Sequence, residues 1–197
     1  MNTLAIIGSG GHANVIAETA KLIGWKNVIF FDKQKIKIKK DHFHINMISA
    51  KIDKIDGIIV GIGDNATRVK YYNNLKKYKK FINIIHPSAI ISSNVKLDKN
   101  CFVSANTVIN SYSKLSHSVI INTGAIVEHD CICKKGVHIS PRSILGGNVI
   151  IKQLSWVGMS SIIKNNTVIN ENVIIGAGSL VLQNINKNQT VFGYPVK

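Results

Sequence analysis

From Ile85 to Val181 an apolar residue recurs at every sixth position without a slip. The series begins Ile85, Ile91, Leu97, Val103, Ile109, Leu115 and runs on through Val127, Cys133, Leu145 and Ile163 to Val181. Two positions before each member from Ile91 onward sits a second, small or β-branched series, from Ala89 through Cys101, Ser113, Cys131, Ser143 and Ser161 to Ser179. A period of six is neither the 3.6 of a helix nor the 2 of an ordinary strand. It is the repeat of a parallel β-helix, in which each repeat buries its apolar face only by stacking on its neighbours. Three strands per coil make 18 residues per turn, with coils stacked about 4.8 Å apart. Chemistry can therefore be placed on the coils by counting. Parallel crossovers are right-handed as a rule, and hexapeptide solenoids are the known exception, being left-handed.

Residues 1–84 follow another pattern. Leu4–Ile7 reads as a short buried strand, and His12 to Ile23 carries Val15, Ile16, Thr19, Ala20 and Ile23 on one side at helical spacing, stopped by Gly24. Strands follow at Val28–Phe31 and Gly57–Ile62, then a helix over about 65–79 and a fourth strand at Phe81–Ile84. Alternating strands and helices imply a parallel sheet of nucleotide-binding type. The expected architecture is an α/β Rossmann-like half-domain (1–84), a left-handed parallel β-helix of hexapeptide repeats (85–182) and a polar C-terminal tail (183–197). Lys33–Lys40 reads as a solvated loop.

Net charge is +15, from 25 Lys and Arg against 10 Asp and Glu, and only Arg68 and Arg142 are arginines. Nucleic-acid recognition favours arginine and a localised patch, and the sequence shows neither. A diffuse positive field suits small anions such as nucleotides. Drift toward Lys, Asn and Ile in AT-rich DNA yields the same composition. No apolar run is long enough to span a membrane. The opening MNTLAIIGSGG lacks a basic segment ahead of its apolar run and reads as a first strand, not a signal peptide. Cys101, Cys131 and Cys133 all fall on inward positions, which points to buried free thiols and a cytoplasmic location.

Three motifs can carry chemistry. Gly8-Ser9-Gly10-Gly11-His12-Ala13 links strand one to helix one in the G-x-G-x-x-A form, with Asp32 closing strand two. Its glycines let a backbone approach phosphate at a helix N-terminus. The half-domain is too small for a dinucleotide, so a mononucleotide or nucleotide sugar fits better. Gly63-Asp64-Asn65-Ala66-Thr67-Arg68 lies at the same carboxyl edge, where Asp64 or Asn65 can also simply cap the next helix. In the solenoid, Glu128-His129-Asp130 follows inward Val127, which puts His129 at an outer corner with a carboxylate on either side. Gly147 stands 18 residues on and offers a bare N–H one coil away. A base and an amide donor so placed can flank a reacting carbonyl. His138 faces outward with Trp156 one coil above it, either a packed pair at an interface or a ligand contact. No histidine spacing puts two on neighbouring coils at one corner, so no metal site is expected. Coils alone make shallow pockets, so a neighbouring subunit is expected to wall the site.

An N-terminal GSGGHA, then hexads containing VEHDC, HIS, LGGNV and IIGAGSLV, and a closing FGYPVK resemble the sialic-acid O-acetyltransferase and UDP-4-amino-sugar N-acetyltransferase family (NeuD/PglD type) over essentially the whole chain. The resemblance implies a cytoplasmic homotrimer with active sites between subunits, using acetyl-CoA and no metal. It implies that His129 is the catalytic base, Asp130 its acidic partner and Gly147 the donor to the acetyl carbonyl. It places sugar-nucleotide contacts on Gly10, His12, Asp32, Gly63 and Asn65. Cofactor contacts fall on His138, Gly147, Met159 and Ala177. Pro141-Arg142 departs from the small, glycine-containing pair expected there.

The expected activity is acetyl transfer to the 4-amino group of a nucleotide-linked amino-deoxy sugar, for bacterial surface glycans. Nucleic acid and membrane are not expected partners. The alternatives are O-acetylation of sialic acid or a related hydroxyl, a non-enzymatic nucleotide-sugar-binding scaffold and, more distantly, a metal-dependent hydratase.

Overall fold

The computed structural model describes residues 3–33 and 41–196. Most of the lysine run after Lys33 lies outside them. The N-terminal part is a four-stranded parallel sheet in the order β3-β2-β1-β4. Its strands are β1 (Thr3–Ile7), β2 (Asn27–Asp32), β3 (His42–His44) and β4 (Gly57–Val60). Helices α1 (Gly11–Leu22), the one-turn α2 (Ile48–Lys51) and α3 (Asn65–Leu75) join them. Leu4, Ile6, Ile16, Ala20 and Ile59 form the core between sheet and α1, and it extends onto Phe102 and Ile120 of the solenoid. The half-domain thus shares a core with the coil it sits on.

The fourth strand expected at Phe81–Ile84 is not a strand of this sheet. Phe81 makes one isolated bridge to Ile58, while Ile84–Ile85 pairs with Phe102–Val103 and opens the solenoid. An apolar run of this kind carries no mark of which sheet will take it. The edge strand His42–His44 was not expected, because three residues are too few for a periodic signal.

The rest of the chain winds into a three-walled parallel β-helix of two-residue strands. The first wall has seven strands, the second six and the third five. Neighbouring strands in a wall are 18 residues apart, as in His138↔Trp156 and Val127↔Leu145. In each strand the second residue points inward: Val103, Ile109, Leu115 and their successors to Val181 form one continuous buried column. Full burial of each such side chain is worth about 1.5–3 kcal/mol.

The small series has its own physical reason. Ser113, Ser143, Ser155 and Ser161 each donate a hydroxyl to a carbonyl 15 residues ahead, at 2.6–2.8 Å. Cys101 and Cys131 occupy equivalent positions, their thiols 3.2 Å from the carbonyls of Ser116 and Gly146. The buried cysteines are therefore more than fillers. Burial pushes the Cys101 thiol up to about 12 and the Cys131 thiol up to about 11, so both stay protonated. The corners turn through a left-handed residue once every six positions, and Asn fills six of these sites, including Asn100, Asn148 and Asn166. Asparagine tolerates that conformation better than other non-glycine residues, which gives the asparagine richness a structural cause.

The three walls differ outside. The first carries the α/β domain. The second presents Ile90, Val108, Ile126, Ile144, Ile162 and Leu180 as an unbroken aliphatic ladder. Every lysine between residues 85 and 190 lies on the third wall or at one of its two corners. The solenoid lysines are therefore gathered in space, although they are spread along the chain. The 18-residue coil spreads neighbours on one wall far apart along the chain.

The segment read as a polar tail continues the coil. Ile185 bridges Ile169, Thr190–Val191 pairs with Ile174–Ile175, and Val196 closes the end of the core. From Val181 to Ile185 the step is four residues instead of six, so a fixed-period reading loses the frame there.

Candidate active site

His129 follows the inward Val127 by two residues and stands on the corner between the aliphatic and lysine walls. Its carbonyl accepts from the Asn148 N–H at 2.9 Å, which holds the corner to the next coil. Asp130 takes the left-handed corner conformation (φ 60). Its Oδ2 lies 2.9 Å from His129 Nδ1. The other flanking carboxylate does not reach the ring: Glu128 Oε2 accepts from Asn110 Nδ2 at 2.8 Å. With Asp130 holding Nδ1–H, Nε2 is the free nitrogen, and it points at Gly147. A Cβ on Gly147 would stand 2.6 Å from Nε2 and 2.7 Å from Cε1. Glycine is required there by close approach, not by backbone strain. Among the described residues the Gly147 N–H donates to no partner in the chain. The His129 side chain is 61% exposed, so one chain leaves this dyad without a roof.

The second group gathers where α1 and α3 meet the first wall. Gly8 has φ +102, and its Cβ position is filled by Ile62 Cγ1 at 2.8 Å, so only glycine closes that turn. Gly10, Gly11 and Gly63 differ: a Cβ on any of them would meet nothing within 4 Å. They bare the backbone to solvent at the carboxyl edge of the sheet. The first turn of α1 holds no acidic side chain, which leaves its N-terminal N–H groups favourable to an anion. Ser9 Oγ donates to Asp32 Oδ2 at 2.6 Å and ties the turn to the end of β2.

His12 turns inward toward the solenoid. Its ring meets the edge of Phe102 and lies 6.4 Å from the His138 ring. Its Nε2 is buried without a hydrogen-bond partner. Burial, then the nearby Arg68 charge, lowers its pKa to about 4. His138 is lowered to about 3 by burial, Arg68 and His12. Both imidazoles are neutral at neutral pH. His138 Nε2 lies 3.1 Å from Asn122 Nδ2, and its ring stacks on Trp156 at 5.9 Å and 14°. A cleft of ≈ 410 Å³ opens here, lined by Gly63, Asn65, Ala66, His138, Trp156 and Ile174 among others.

Sequence reasoning missed the organising role of Arg68. Its side chain is buried at 1% exposure. It donates to the carbonyls of Ser118, Ile62, Gly63 and Gly136 and to Asn65 Oδ1, all within 3.0 Å. Asn65 Nδ2 in turn donates to the carbonyls of Leu154 and Ser155. The side chain of Asn65, expected on substrate, is thus engaged in docking the α/β domain. Asp64 caps α3 through the Thr67 N–H at 2.8 Å. The available signal was an arginine early in a helix with little apolar surface to hold it down.

Met159 and Ala177 come together one coil apart at the corner between the first and second walls, where the Gly178 N–H bonds the Met159 carbonyl. Both are exposed. They do not meet Gly147 within the chain; the aliphatic wall separates the two corners. Arg142 sits in a left-handed corner beside Gly124. Among the described residues no group of three or more His, Cys, Asp or Glu gathers to hold a metal ion. No described helix is long and apolar enough to cross a membrane.

A left-handed β-helix with a rim imidazole against a bare amide, joined to a small α/β domain, defines the hexapeptide-repeat acyltransferase class. The PglD N-terminal domain family matches residues 3–75. The acetyltransferase domain of PglB from Neisseria gonorrhoeae FA1090 is 31% identical over 99% of this chain and 98% of its own, with a TM-score of 0.92. PerB from Caulobacter crescentus, solved with CoA and GDP-perosamine, is 29% identical over 99% and 96%, with a TM-score of 0.93. WeeI from Acinetobacter baumannii AYE, at 18% identity and a TM-score of 0.86 over 100% and 99%, shares the fold. The chain belongs to the sialic-acid O-acetyltransferase and UDP-4-amino-sugar N-acetyltransferase family of NeuD/PglD type.

Proposed function

We propose that this protein transfers an acetyl group from acetyl-CoA to the 4-amino group of a nucleotide-linked amino-deoxy sugar. The observation that carries the reading is the His129 imidazole, held at Nδ1 by Asp130 and pressed at Nε2 against the bare Gly147 peptide. Nε2 takes the proton from the amine as nitrogen attacks the thioester carbonyl. General-base help of this kind is worth roughly 10²–10⁴-fold. The unpartnered Gly147 N–H faces the oxygen on which charge develops, an interaction worth roughly 3–4 kcal/mol where it has been removed from other enzymes. The thiolate of coenzyme A departs. The family relatives PerB and the PglB domain were solved with CoA and GDP-perosamine and with acetyl coenzyme A respectively, which supports the two co-substrates.

The nucleotide is read onto the carboxyl edge of the α/β sheet, at Gly10, Gly63 and the Ser9–Asp32 pair. Within one chain that edge cannot serve His129. The α/β domain covers the first wall, and His129 stands on the opposite corner, a distance on the order of 15 Å across a coil with about six residues per side. The site is therefore read as shared between copies. One copy's Gly147 corner would meet another's Met159 and Ala177 across the aliphatic wall, in a homotrimer. Buried free thiols and soluble co-substrates support a cytoplasmic reading.

The test is a panel of UDP-, GDP- and dTDP-linked 4-amino sugars, with free sialic acid alongside, each incubated with acetyl-CoA and read by mass spectrometry. Acetylation of a nucleotide amino sugar, lost by at least about 10²-fold in His129→Ala, is the expected result. Acetylation of free sialic acid alone would transfer the reading to the O-acetyl branch. Activity of His129→Ala within a few fold of wild type removes the base.

A further inference from the structure

The corner between the third and first walls holds a cleft that acyl transfer does not use. Its volume is ≈ 550 Å³, within the range that accommodates a small ligand. It stands at the opposite end of the third wall from His129. Lys134 and Lys152 line it, each following an inward member of the hexad series and 18 residues apart. Their backbones keep one register: the Lys134 N–H bonds the Ile151 carbonyl and the Lys152 N–H bonds the Ile169 carbonyl. The two side chains are thus rooted about 4.8 Å apart, and Lys135 brings a third ammonium group to the cleft. Like charges opposite each other on neighbouring strands are destabilising. Asp98 also lines the cleft two coils before Lys134, and Glu171 one coil after Lys152. Among the described residues neither carboxylate forms an ion pair with these lysines.

His117 lines the same cleft, its ring stacked on Tyr72 of α3 at 4.3 Å and 13°. Burial holds its pKa below the ordinary value; the Lys135 and Lys76 charges push the same way, and Asp98 opposes them.

We propose that this corner binds the diphosphate group of a small phosphorylated molecule, at a site separate from the acyl-transfer centre. Lysine offers a point charge that suits phosphate oxygens. Two ammonium groups one coil apart match two linked phosphoryl groups. Ser116 Oγ and the Gln153 amide also line the cleft and can donate to the remaining oxygens. A carboxylate at each end repels a longer polyanion, so the ligand is short and not a nucleic-acid strand. Ile150 gives an apolar contact for the body of the molecule.

The test follows the His117 ring by proton NMR, its signal identified by its loss in His117→Gln. Inorganic diphosphate, ADP and inorganic monophosphate are titrated separately at about 0.15 M salt, where diffuse attraction is largely screened. Wild type should show a saturable shift with diphosphate and a raised His117 pKa, since a nearby anion favours the imidazolium. Monophosphate should bind at least about tenfold more weakly. Lys134→Gln combined with Lys152→Gln should weaken diphosphate binding by at least about tenfold without lowering the melting temperature. Lys96→Gln combined with Lys114→Gln removes the same charge from an in-register pair outside the cleft and should change the affinity by less than about threefold. Lys135→Gln supplies the same comparison if the first double variant melts low. A shift with ADP equal to that with diphosphate supports the site and makes its ligand a nucleotide; a shift with diphosphate alone supports it without the nucleoside. A His117 signal that does not move, or equal losses in the two lysine pairs, overturns the site.

Discussion

At the scale of single residues, counting by 18 located the candidate chemistry. The placement of Gly147 beside His129 was legible because coil length is set by the hexad, and a hexad leaves no slack. Gly147→Ala tests that contact. A methyl placed 2.6 Å from Nε2 must push the ring off the amide, while the backbone needs no unusual φ. The expected outcome is a loss of roughly 10²–10³ in kcat, with a melting curve close to wild type; a variant of near-normal kcat would show that the imidazole and the amide do not act together. The direction of His12 was not legible. Its position at a helix N-terminus suggested a ligand at the phosphate edge, but its ring is packed against Phe102 and His138. That choice depends on wall residues ninety or more positions away.

At the scale of elements, the seam between α3 and the first wall is held mainly by polar bonds. Arg68 spans it, Tyr72 stacks on His117 at 4.3 Å, and Asn65 bonds two carbonyls of the coil. Arg68→Met would leave several carbonyls buried without donors, so it should cost about 3–5 kcal/mol in urea denaturation, a loss that a surface arginine would not produce. The same seam has a pH signature. His12 and His138 are held neutral when folded, with pKa values near 4 and 3, below the 6.5 of an exposed histidine. Folding therefore releases protons in that range. The associated stability is fully present above pH 6.5 and is lost as pH falls toward the folded values, by on the order of several kcal/mol by pH 4. His138→Gln should flatten the dependence of the urea midpoint on pH between 6.5 and 4. An identical slope in the variant would assign the acid loss to other groups.

At the scale of the whole molecule, each wall has a distinct exterior. The first is covered by the α/β domain, the second is aliphatic from end to end, and the third carries the solenoid lysines. Charge segregated in this way leaves the third wall to water and keeps the second free of charge, the face on which the proposed trimer would pack. Ile144→Glu tests the second wall. Its side chain points out of the coil, so the protomer should fold, while sedimentation should show a shift from trimer toward monomer and activity should fall with it. A trimer that survives the charge would place the subunit contact elsewhere.

The hexad series by itself determined the coil, its inward column and the corner on which the imidazole stands. Each of these follows from local backbone geometry and burial at a fixed period, and a shift of one residue would turn every buried side chain out. The same logic fails at Val181–Ile185, where the step changes and the coil nevertheless continues. Tertiary structure alone decided which wall the α/β domain covers, that Arg68 and Asn65 serve the seam, and that scattered lysines share one face. Those outcomes depend on hydrogen bonds and packing between segments tens of residues apart, and no periodicity along the chain encodes them.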